Sequence, residues 1–260
     1  MNWGDYLSKR ILFCNGDAKQ VKNCEFYYKK VDKNSKNNSN TVNGNVLIVG
    51  GINMDWINEI SKNYGTNKPL VFKEIQNILW YYSVQRVYQL IDQAIEEEKL
   101  IRFGNGIYYV PTKTIFGISK LDPAKVVFRK YIANDEKVYG YYSGLTLLNG
   151  LGLTTQVSNI IEVVTNKEAS RVREIYVGRQ RVRLRRARVL VTNENVDALS
   201  ILDLFNQLDP NKVNGLDWSR VIDYIKESKL TLKKVLEYSS VYPAKAIKNL
   251  MNSGIMYEVA

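Results

Sequence analysis

The sequence contains no histidine, only two cysteines, and no run of 18 or more apolar residues. Without histidine, the chain cannot use Ser-His-Asp or Cys-His nucleophilic catalysis, histidine general bases, or nearly any known catalytic zinc site. Two cysteines, Cys14 and Cys24, cannot form a disulfide framework or a metal knuckle without further partners. We therefore expect reduced thiols, and only carboxylate-based metal chemistry remains open.

The lack of a long apolar run also argues against a membrane span. The first residues, with Asp5 ahead of a basic pair, do not fit a secretory signal, so we expect a cytoplasmic protein with no membrane partner. Acidic residues are scattered, and no D-x-D or E-x-K pattern lies at the edge of a recognisable strand. We therefore predict no enzymatic activity, no catalytic residue, no metal site and no cofactor.

Positive charge is in excess but unevenly placed. The net charge is +11, which is typical of a protein with an anionic partner. Residues 67–117 hold 6 Lys/Arg against 5 Asp/Glu, whereas residues 118–192 hold 14 against 6. Most of the positive charge therefore lies in residues 118–192.

Residues 52–117 have the pattern of a winged helix-turn-helix. Apolar periodicity predicts helices over 54–64, 71–80 and 83–99, and the last runs into two short strand-like segments separated by Gly-Asn-Gly. In this motif the helix after the turn enters the major groove.

The remainder predicts an α+β protein of three parts. Residues 1–51 form an N-terminal extension with a polar linker near 31–45, and 118–260 form a mixed α/β domain with a helical C-terminal tail. Within that domain we expect helices at 122–133 and 140–152, then strands at 159–165, 171–178 and 181–191. Four helices follow, at 196–208, 217–228, 231–240 and 243–254.

The third predicted helix has an exposed polar face suited to DNA. Amide side chains pair with adenine and guanidinium groups with guanine, and two residues near the turn between the strands suit phosphate or the minor groove. The predicted DNA-binding residues are Ser83 at the helix N-cap, Gln85, Arg86, Gln89, Gln93, Arg102 and Asn105. The alternative is a solvated surface, or a winged helix that binds protein only. Tyr81, Tyr82 and Tyr88 can contact the DNA backbone, although packing is the more common role of tyrosines beside a helix junction.

An arginine-rich segment lies about a hundred residues further on. Its members are Arg171, Arg173, Arg179, Arg181, Arg183, Arg185, Arg186 and Arg188. Period-two alternation places Arg179, Arg181, Arg183 and Arg185 on one face of a strand, and Val182 and Leu184 on the other. Three interpretations stay open: a track for DNA phosphates, a docking face for an acidic partner, or a solvated face neutralised by acids such as Glu194, Asp197 and Asp203.

Two motifs resemble the AbiE-type abortive-infection antitoxins of type IV toxin–antitoxin systems. The first is the G-x-Y-x-x-P pattern, and the second is the segment that opens the following domain. The matching residues are Gly106, Tyr108, Tyr109 and Pro111, then Gly144, Leu145, Leu151, Gly152, Leu153, Thr154 and Gln156.

The resemblance implies a bacterial autorepressor that binds its own operator as double-stranded DNA. It also implies that the second domain neutralises a co-transcribed, nucleotidyltransferase-like toxin. Our hypothesis is thus an antitoxin and transcriptional regulator, in which the winged helix selects sequence and the arginine strand supplies much of the affinity. The alternative is a non-catalytic protein-interaction module whose winged helix does not bind DNA.

Overall fold

A computed structural model describes residues 55–104, 106–115, 117–210 and 218–258. The predicted extension 1–51, with its linker near 31–45, and the predicted DNA-binding residue Asn105 lie outside these ranges. Within them, no helix has both the length and the apolar character needed to cross a membrane.

Three helices and a small antiparallel sheet form the first unit. Its elements are α1 (Trp56–Tyr64), β1 (Leu70–Val71), α2 (Phe72–Ile78), α3 (Val84–Glu96), β2 (Ile101–Gly104) and β3 (Ile107–Tyr109). The sheet order is β1-β3-β2, so the short strand before α2 pairs with the hairpin that follows α3. The three predicted helices are confirmed, each slightly shorter than the sequence pattern indicated.

Local hydrogen bonds explain where these helices begin. The Asp55 carboxylate accepts from the backbone N–H of Asn58, and the Ser83 hydroxyl accepts from that of Arg86 at 3.3 Å. Such side-chain caps satisfy N–H groups that have no partner within the helix. Inside, α1, α2 and α3 bury one apolar stripe each, and residues such as Ile60, Ile75 and Ile91 make a common core.

The chain then passes through a short hairpin and an irregular helix. The hairpin consists of β4 (Lys113–Thr114) and β5 (Gly117–Ile118). Helix α4 (Pro123–Val127) begins with Asp122 as its N-cap and continues directly as a π-helical turn over Phe128–Ile132. The helix predicted over 122–133 is therefore present, but its second half is wound more widely.

A four-stranded sheet forms the centre of the second unit. It contains β6 (Gly140–Tyr142), β7 (Ile160–Thr165), β8 (Val172–Val177) and β9 (Gln180–Arg186), in the order β6-β7-β9-β8. Only β7 and β9 are parallel. The helix predicted over 140–152 is confirmed only as α5 (Gly144–Gly150), because β6 occupies the first three residues of that range. The strand predicted over 181–191 begins at Gln180 and ends at Arg186.

The two faces of this sheet differ sharply in character. One face is apolar: Val163, Val182 and Leu184 pack with the α4 segment and with Ile107 and Tyr109 of β3. The opposite face carries Arg181, Arg183 and Arg185 of β9, as the period-two pattern predicted. The first unit and the sheet therefore share one apolar core.

A helical region closes the fold. Its helices are α6 (Val196–Gln207), α7 (Ser219–Glu227), α8 (Leu232–Glu237), α9 (Ala244–Asn252) and α10 (Ile255–Glu258), with a 3-10 turn at Ser239–Val241. Nearly all of α6 is buried, and its neighbours surround it. The mixed α+β class and the helical C-terminal region are thus confirmed.

A half-hidden ion pair joins the first unit to the second. Arg129 of the π-helical turn contacts Glu74 of α2, and both side chains are largely withdrawn from solvent. The other Glu74 oxygen accepts from the backbone N–H of Val71 at 2.8 Å, at the start of α2. One carboxylate therefore caps a helix and connects two units.

Gly140 lies where β6 and the π-helical turn are in close backbone contact. A Cβ at this residue would overlap the carbonyl oxygen of Tyr131 and lie 2.7 Å from that of Val164. Because both are backbone atoms, neither can rotate away. We predict that Gly140→Ala lowers the free energy of unfolding by about 1–3 kcal/mol in urea titrations. Asn77→Ala, on the exposed surface of α2, should change it by less than about 0.5 kcal/mol; equal effects would contradict the prediction.

Candidate functional site

The outer face of α3 presents most of the residues predicted to contact DNA. Val87, Ile91 and Ala94 hold the helix against the core, which leaves Gln85, Arg86, Gln89 and Gln93 exposed. Ser83 is also exposed, but its hydroxyl caps the helix. The structure therefore brings the four longer side chains onto one surface, as the sequence predicted.

Hydrogen bonds order part of this surface. Arg86 Nη1 donates to Gln89 Oε1 at 3.0 Å, one turn along the helix. Gln93 Nε2 donates to Glu97 Oε1 at 2.9 Å. A hydrogen bond from Lys99, followed by that from Gln93, lowers the pKa of Glu97, so this carboxylate stays ionised. Negative charge thus gathers at the C-terminal end of α3, away from Gln85 and Arg86.

Arg102 lies on the hairpin beside α3 but already has partners. Its Nη2 is 3.2 Å from Asp92 Oδ1 of α3, and its guanidinium lies 5.6 Å from the centre of the Tyr108 ring. Both members of the ion pair are well exposed, so the pairing is weak in water. Arg102 therefore keeps its predicted position next to the helix, with part of its charge balanced.

The arginine strand is neutralised by carboxylates on both neighbouring strands. Arg183 stands opposite Glu162 of β7 and opposite Glu174 of β8. Glu174 Oε2 accepts from Arg181 Nε at 2.9 Å, and Glu174 Oε1 accepts from Arg183 Nε at 2.9 Å. These two hydrogen bonds lower the pKa of Glu174, and the one from Arg183 has the larger effect. Arg181, Arg183 and Arg185, which we call the arginine ladder, are therefore part of an ion-pair network with Glu162 and Glu174 and are not a row of free positive charges.

Two of the expected neutralising acids have other roles. Asp197 is buried, and its carboxylate accepts a hydrogen bond from the Tyr224 hydroxyl at 2.6 Å. Glu194 is exposed at the turn before α6. Only Asp203 lies close to the ladder, so Glu162 and Glu174 replace Glu194 and Asp197 as its counter-charges.

Asp203 belongs to a buried polar cluster at the end of the ladder. Arg185 Nη2 donates to the Ser143 hydroxyl at 2.7 Å, and that hydroxyl donates to Asp203. Gln207 Nε2 donates to Asp203 Oδ2 at 2.9 Å. Burial raises the pKa of Asp203, although the hydrogen bonds from Ser143 and Gln207 and the nearby arginines oppose the shift. With Ser143 fully buried and no histidine in the chain, this cluster has the features of a structural network.

The other arginines are dispersed. Arg173 binds the largely buried Glu168, with Nη2 at 2.8 Å from its carboxylate, and Arg188 lies 5.0 Å from the centre of the Tyr242 ring. Arg171 and Arg186 are exposed near the far end of the sheet.

Arg179 lies off the strand. It occupies the two-residue turn between β8 and β9, where Val177 pairs with Gln180, so the prediction that it belongs to the ladder is wrong. The preceding residue, Gly178, has φ of +58°, and a Cβ there would be 3.2 Å from the Phe103 ring of β2. The turn that contains Arg179 therefore lies beside Phe103 of β2, the residue that follows Arg102.

Several residues that shape these surfaces were not predicted. Glu174 could have been found, because a two-residue turn at Gly178-Arg179 sets it opposite Arg183. Glu162 gave no such signal, since it reaches Arg183 through a parallel pairing that skips β8. Across the part of the chain that the structure describes, no group of three or more His, Cys, Asp and Glu side chains is placed to hold a metal ion.

The described residues thus define a mixed α+β protein with one polar helical surface and one charged sheet surface. The chain belongs to a protein family described as a family of unknown function (DUF6088), whose model matches residues 57–232. The match extends from α1 to the first residue of α8 and includes both surfaces. No curated protein and no solved structure matches the chain.

The buried Asp203 gives a prediction about pH. A folded-state pKa above the ordinary value of about 3.9 means that the folded protein binds more protons than the unfolded chain in the interval between the two values. The wild type should therefore lose stability relative to Asp203→Asn as pH rises from about 4, until the buried carboxyl has ionised. Urea unfolding at several pH values measures the difference, with Asp223→Asn on the surface of α7 as control. If the stability of the wild type relative to Asp203→Asn stayed constant or increased with pH, the raised pKa of Asp203 would be contradicted.

Proposed function

We propose that this protein is a DNA-binding transcriptional regulator and an antitoxin. The observation that carries the first role is the exposed polar face of α3, on which Gln85, Arg86 and Gln89 are held by a helix with a buried opposite side. Amide and guanidinium groups in this arrangement suit the donor and acceptor pattern of base edges in the major groove.

The order of elements supports a winged helix-turn-helix. Two helices precede α3, a hairpin follows it, and the strand before α2 pairs with that hairpin. In a winged helix the third helix enters the major groove, and the hairpin flanks it as the wing. Arg102 and Arg179 would then lie near the phosphate backbone beside the groove.

The second role rests on the charged face of the sheet and on the resemblance to AbiE-type antitoxins. Because Arg181 and Arg183 share Glu174, this face offers little net charge to a phosphate backbone. It also carries Tyr176, whose side chain is 73% exposed, directly opposite Arg181. A surface of oriented arginine groups with an exposed aromatic ring is typical of a protein interface. We therefore assign it to the partner toxin, for which the resemblance implies a nucleotidyltransferase-like protein.

The affinity for phosphate is then assigned to a different arginine from those of the ladder. Arg179 is exposed in a turn whose Gly178 lies beside Phe103 of the hairpin, and it forms no ion pair among the residues that the structure describes, whereas Arg181 and Arg183 both bind Glu174. The proposed role needs no cofactor, metal or catalytic residue, and it places the protein in the cytoplasm. The alternative, a protein-interaction module without DNA contact, is favoured by the net charge of only +1 over residues 67–117.

The DNA-binding role predicts a loss of affinity when the α3 face is truncated. Gln85→Ala and Arg86→Ala should each weaken binding to the upstream promoter duplex about tenfold to a hundredfold, the range for loss of a bidentate base contact. Asn77→Ala, an exposed change on α2, should have no effect. Gel shifts against a random duplex of equal length give the measurement. Equal affinity of the wild type for both duplexes would overturn the regulator role and leave the protein-interaction alternative.

Arg179 and Arg181 provide a matched pair that separates the two surfaces. The two arginines are two residues apart, and changing either one to Gln removes one positive charge. Arg179→Gln should reduce the slope of log affinity for DNA against log salt by about 0.9, the amount for one phosphate contact. Arg181→Gln should leave that slope unchanged but weaken neutralisation of the toxin in a co-expression growth assay. The reverse pattern would show that the ladder binds DNA.

A further inference from the structure

Four exposed aromatic side chains surround the start of α3. We call them the aromatic turn: Trp80, Tyr81 and Tyr82 in the connection between α2 and α3, and Tyr88 on α3 itself. Their exposed fractions are 72%, 51%, 40% and 45%. The neighbouring apolar residues that do pack in the core are Leu79 in the connection and Val87 on α3, which are almost fully buried. Burial in the core therefore does not account for Trp80, Tyr81 and Tyr82, whereas Tyr88 packs on Phe72 at the margin of the core.

Contacts among the rings hold the aromatic turn in a defined arrangement. The Trp80 and Tyr81 rings meet edge to face with centroids 5.8 Å apart, and the Tyr81 and Tyr82 centroids are 4.4 Å apart. Tyr88 stacks on Phe72 of α2 at 4.5 Å. The Tyr82 backbone N–H donates to the Leu79 carbonyl oxygen at 2.9 Å, which closes the turn. Rings supported in this way lose little conformational freedom when a partner binds.

The chemistry of the aromatic turn favours an acceptor-rich partner. Each ring has a donor at its edge, an indole N–H on Trp80 and a phenol O–H on each tyrosine. A purely apolar partner would bury these donors without acceptors, which is costly. Phosphate oxygens supply acceptors, and tyrosine is among the side chains that donate to them in protein–DNA complexes.

The charge around the aromatic turn is compatible with phosphate. Between residues 75 and 91 the only charged side chain is Arg86. The adjacent acids have partners, since Glu74 binds Arg129 and Asp92 binds Arg102. Glu59 of α1 is the exception, because one of its carboxylate oxygens is buried without a hydrogen-bond partner among the described residues. Burial first, then Tyr82, then the Glu59 charge raise the pKa of the Tyr81 hydroxyl, and the same charge opposes a phosphate beside Tyr81. A hydrogen bond with Tyr82 adds to this shift, so the Tyr81 and Tyr82 hydroxyls pair with each other in the free protein and would exchange that contact for a phosphate oxygen on binding.

We propose that the aromatic turn binds the phosphate backbone of duplex DNA at the edge of the groove that α3 enters. The inference rests on the proposed DNA-binding function and extends its interface from α3 to the turn that precedes it. The tyrosine hydroxyls contribute affinity by hydrogen bonding without adding positive charge, which compensates for the low net charge of residues 67–117. The proposed partner is duplex DNA, and the alternative is self-association with a second copy of this chain.

The test removes hydroxyl groups and keeps the rings. Tyr81→Phe, Tyr82→Phe and Tyr88→Phe are each compared with Tyr257→Phe, an exposed tyrosine on α10, by fluorescence anisotropy of the labelled promoter duplex across a salt series. Each of the three changes should weaken binding about twofold to tenfold, the value of one hydrogen bond. Their log–log salt plots should run parallel to that of the wild type, because no phosphate-neutralising charge is lost. Arg86→Ala, which removes a charge, serves as the comparison, and Tyr257→Phe should bind like the wild type.

Each other outcome has a separate meaning. If Arg86→Ala weakens binding and none of the three phenylalanine variants does, the aromatic turn lies outside the interface and this inference fails while the DNA-binding function stands. If the wild type does not distinguish promoter from random duplex, the proposed function itself fails. Sedimentation velocity of the wild type and of Trp80→Ser tests whether the aromatic turn instead mediates self-association. A wild-type dimer that becomes a monomer in Trp80→Ser, with promoter affinity retained, overturns the inference in favour of self-association.

Discussion

The register of β9 is the constraint on which the second unit depends. In one row across the sheet, Arg183 stands between Glu162 of β7 and Glu174 of β8, and the adjacent residues Val182 and Leu184 point into the apolar core. A shift of one residue would bring arginines into that core and place valine and leucine beside the two glutamates. Ion pairing and apolar burial therefore select the same register, and a strand that would otherwise repel itself is stable in the interior of the sheet.

Because of this arrangement, the arginines on the strand and the arginine in the turn have different electrostatic roles. The arginines of the ladder are paired with fixed carboxylates. Their guanidinium groups are therefore held in defined orientations, but they produce little net positive potential. Charge that acts on a distant polyanion must come from residues outside the ladder, and Arg179 in the turn beside Phe103 is one of them. The net charge of a segment is thus a poor guide to its electrostatic role when carboxylates from other strands lie among its arginines.

Much of the local structure could be predicted from the sequence, because it depends on periodicity and capping. Ser83 marked the start of α3, and alternation placed Val182 and Leu184 opposite the arginines. What could not be predicted depends on contacts between distant segments: the parallel pairing that brings Glu162 to Arg183, the burial of Asp203 against Ser143, and the exposure of Tyr81 and Tyr82. The usual role of tyrosine beside a helix junction is packing, but residue type alone does not indicate whether the core has room for the Tyr81 and Tyr82 side chains.

Glu74 shows how closely the two units are built into each other. Its carboxylate serves the start of α2 with one oxygen and Arg129 with the other, and Ile107 and Tyr109 from the same unit complete the apolar face of the sheet. A fragment cut after residue 117 would lose the arginine and expose both apolar side chains to water. The first unit therefore depends on contacts with the second and is not expected to fold as a separate fragment. Its activity should be tested by point substitutions in the whole chain.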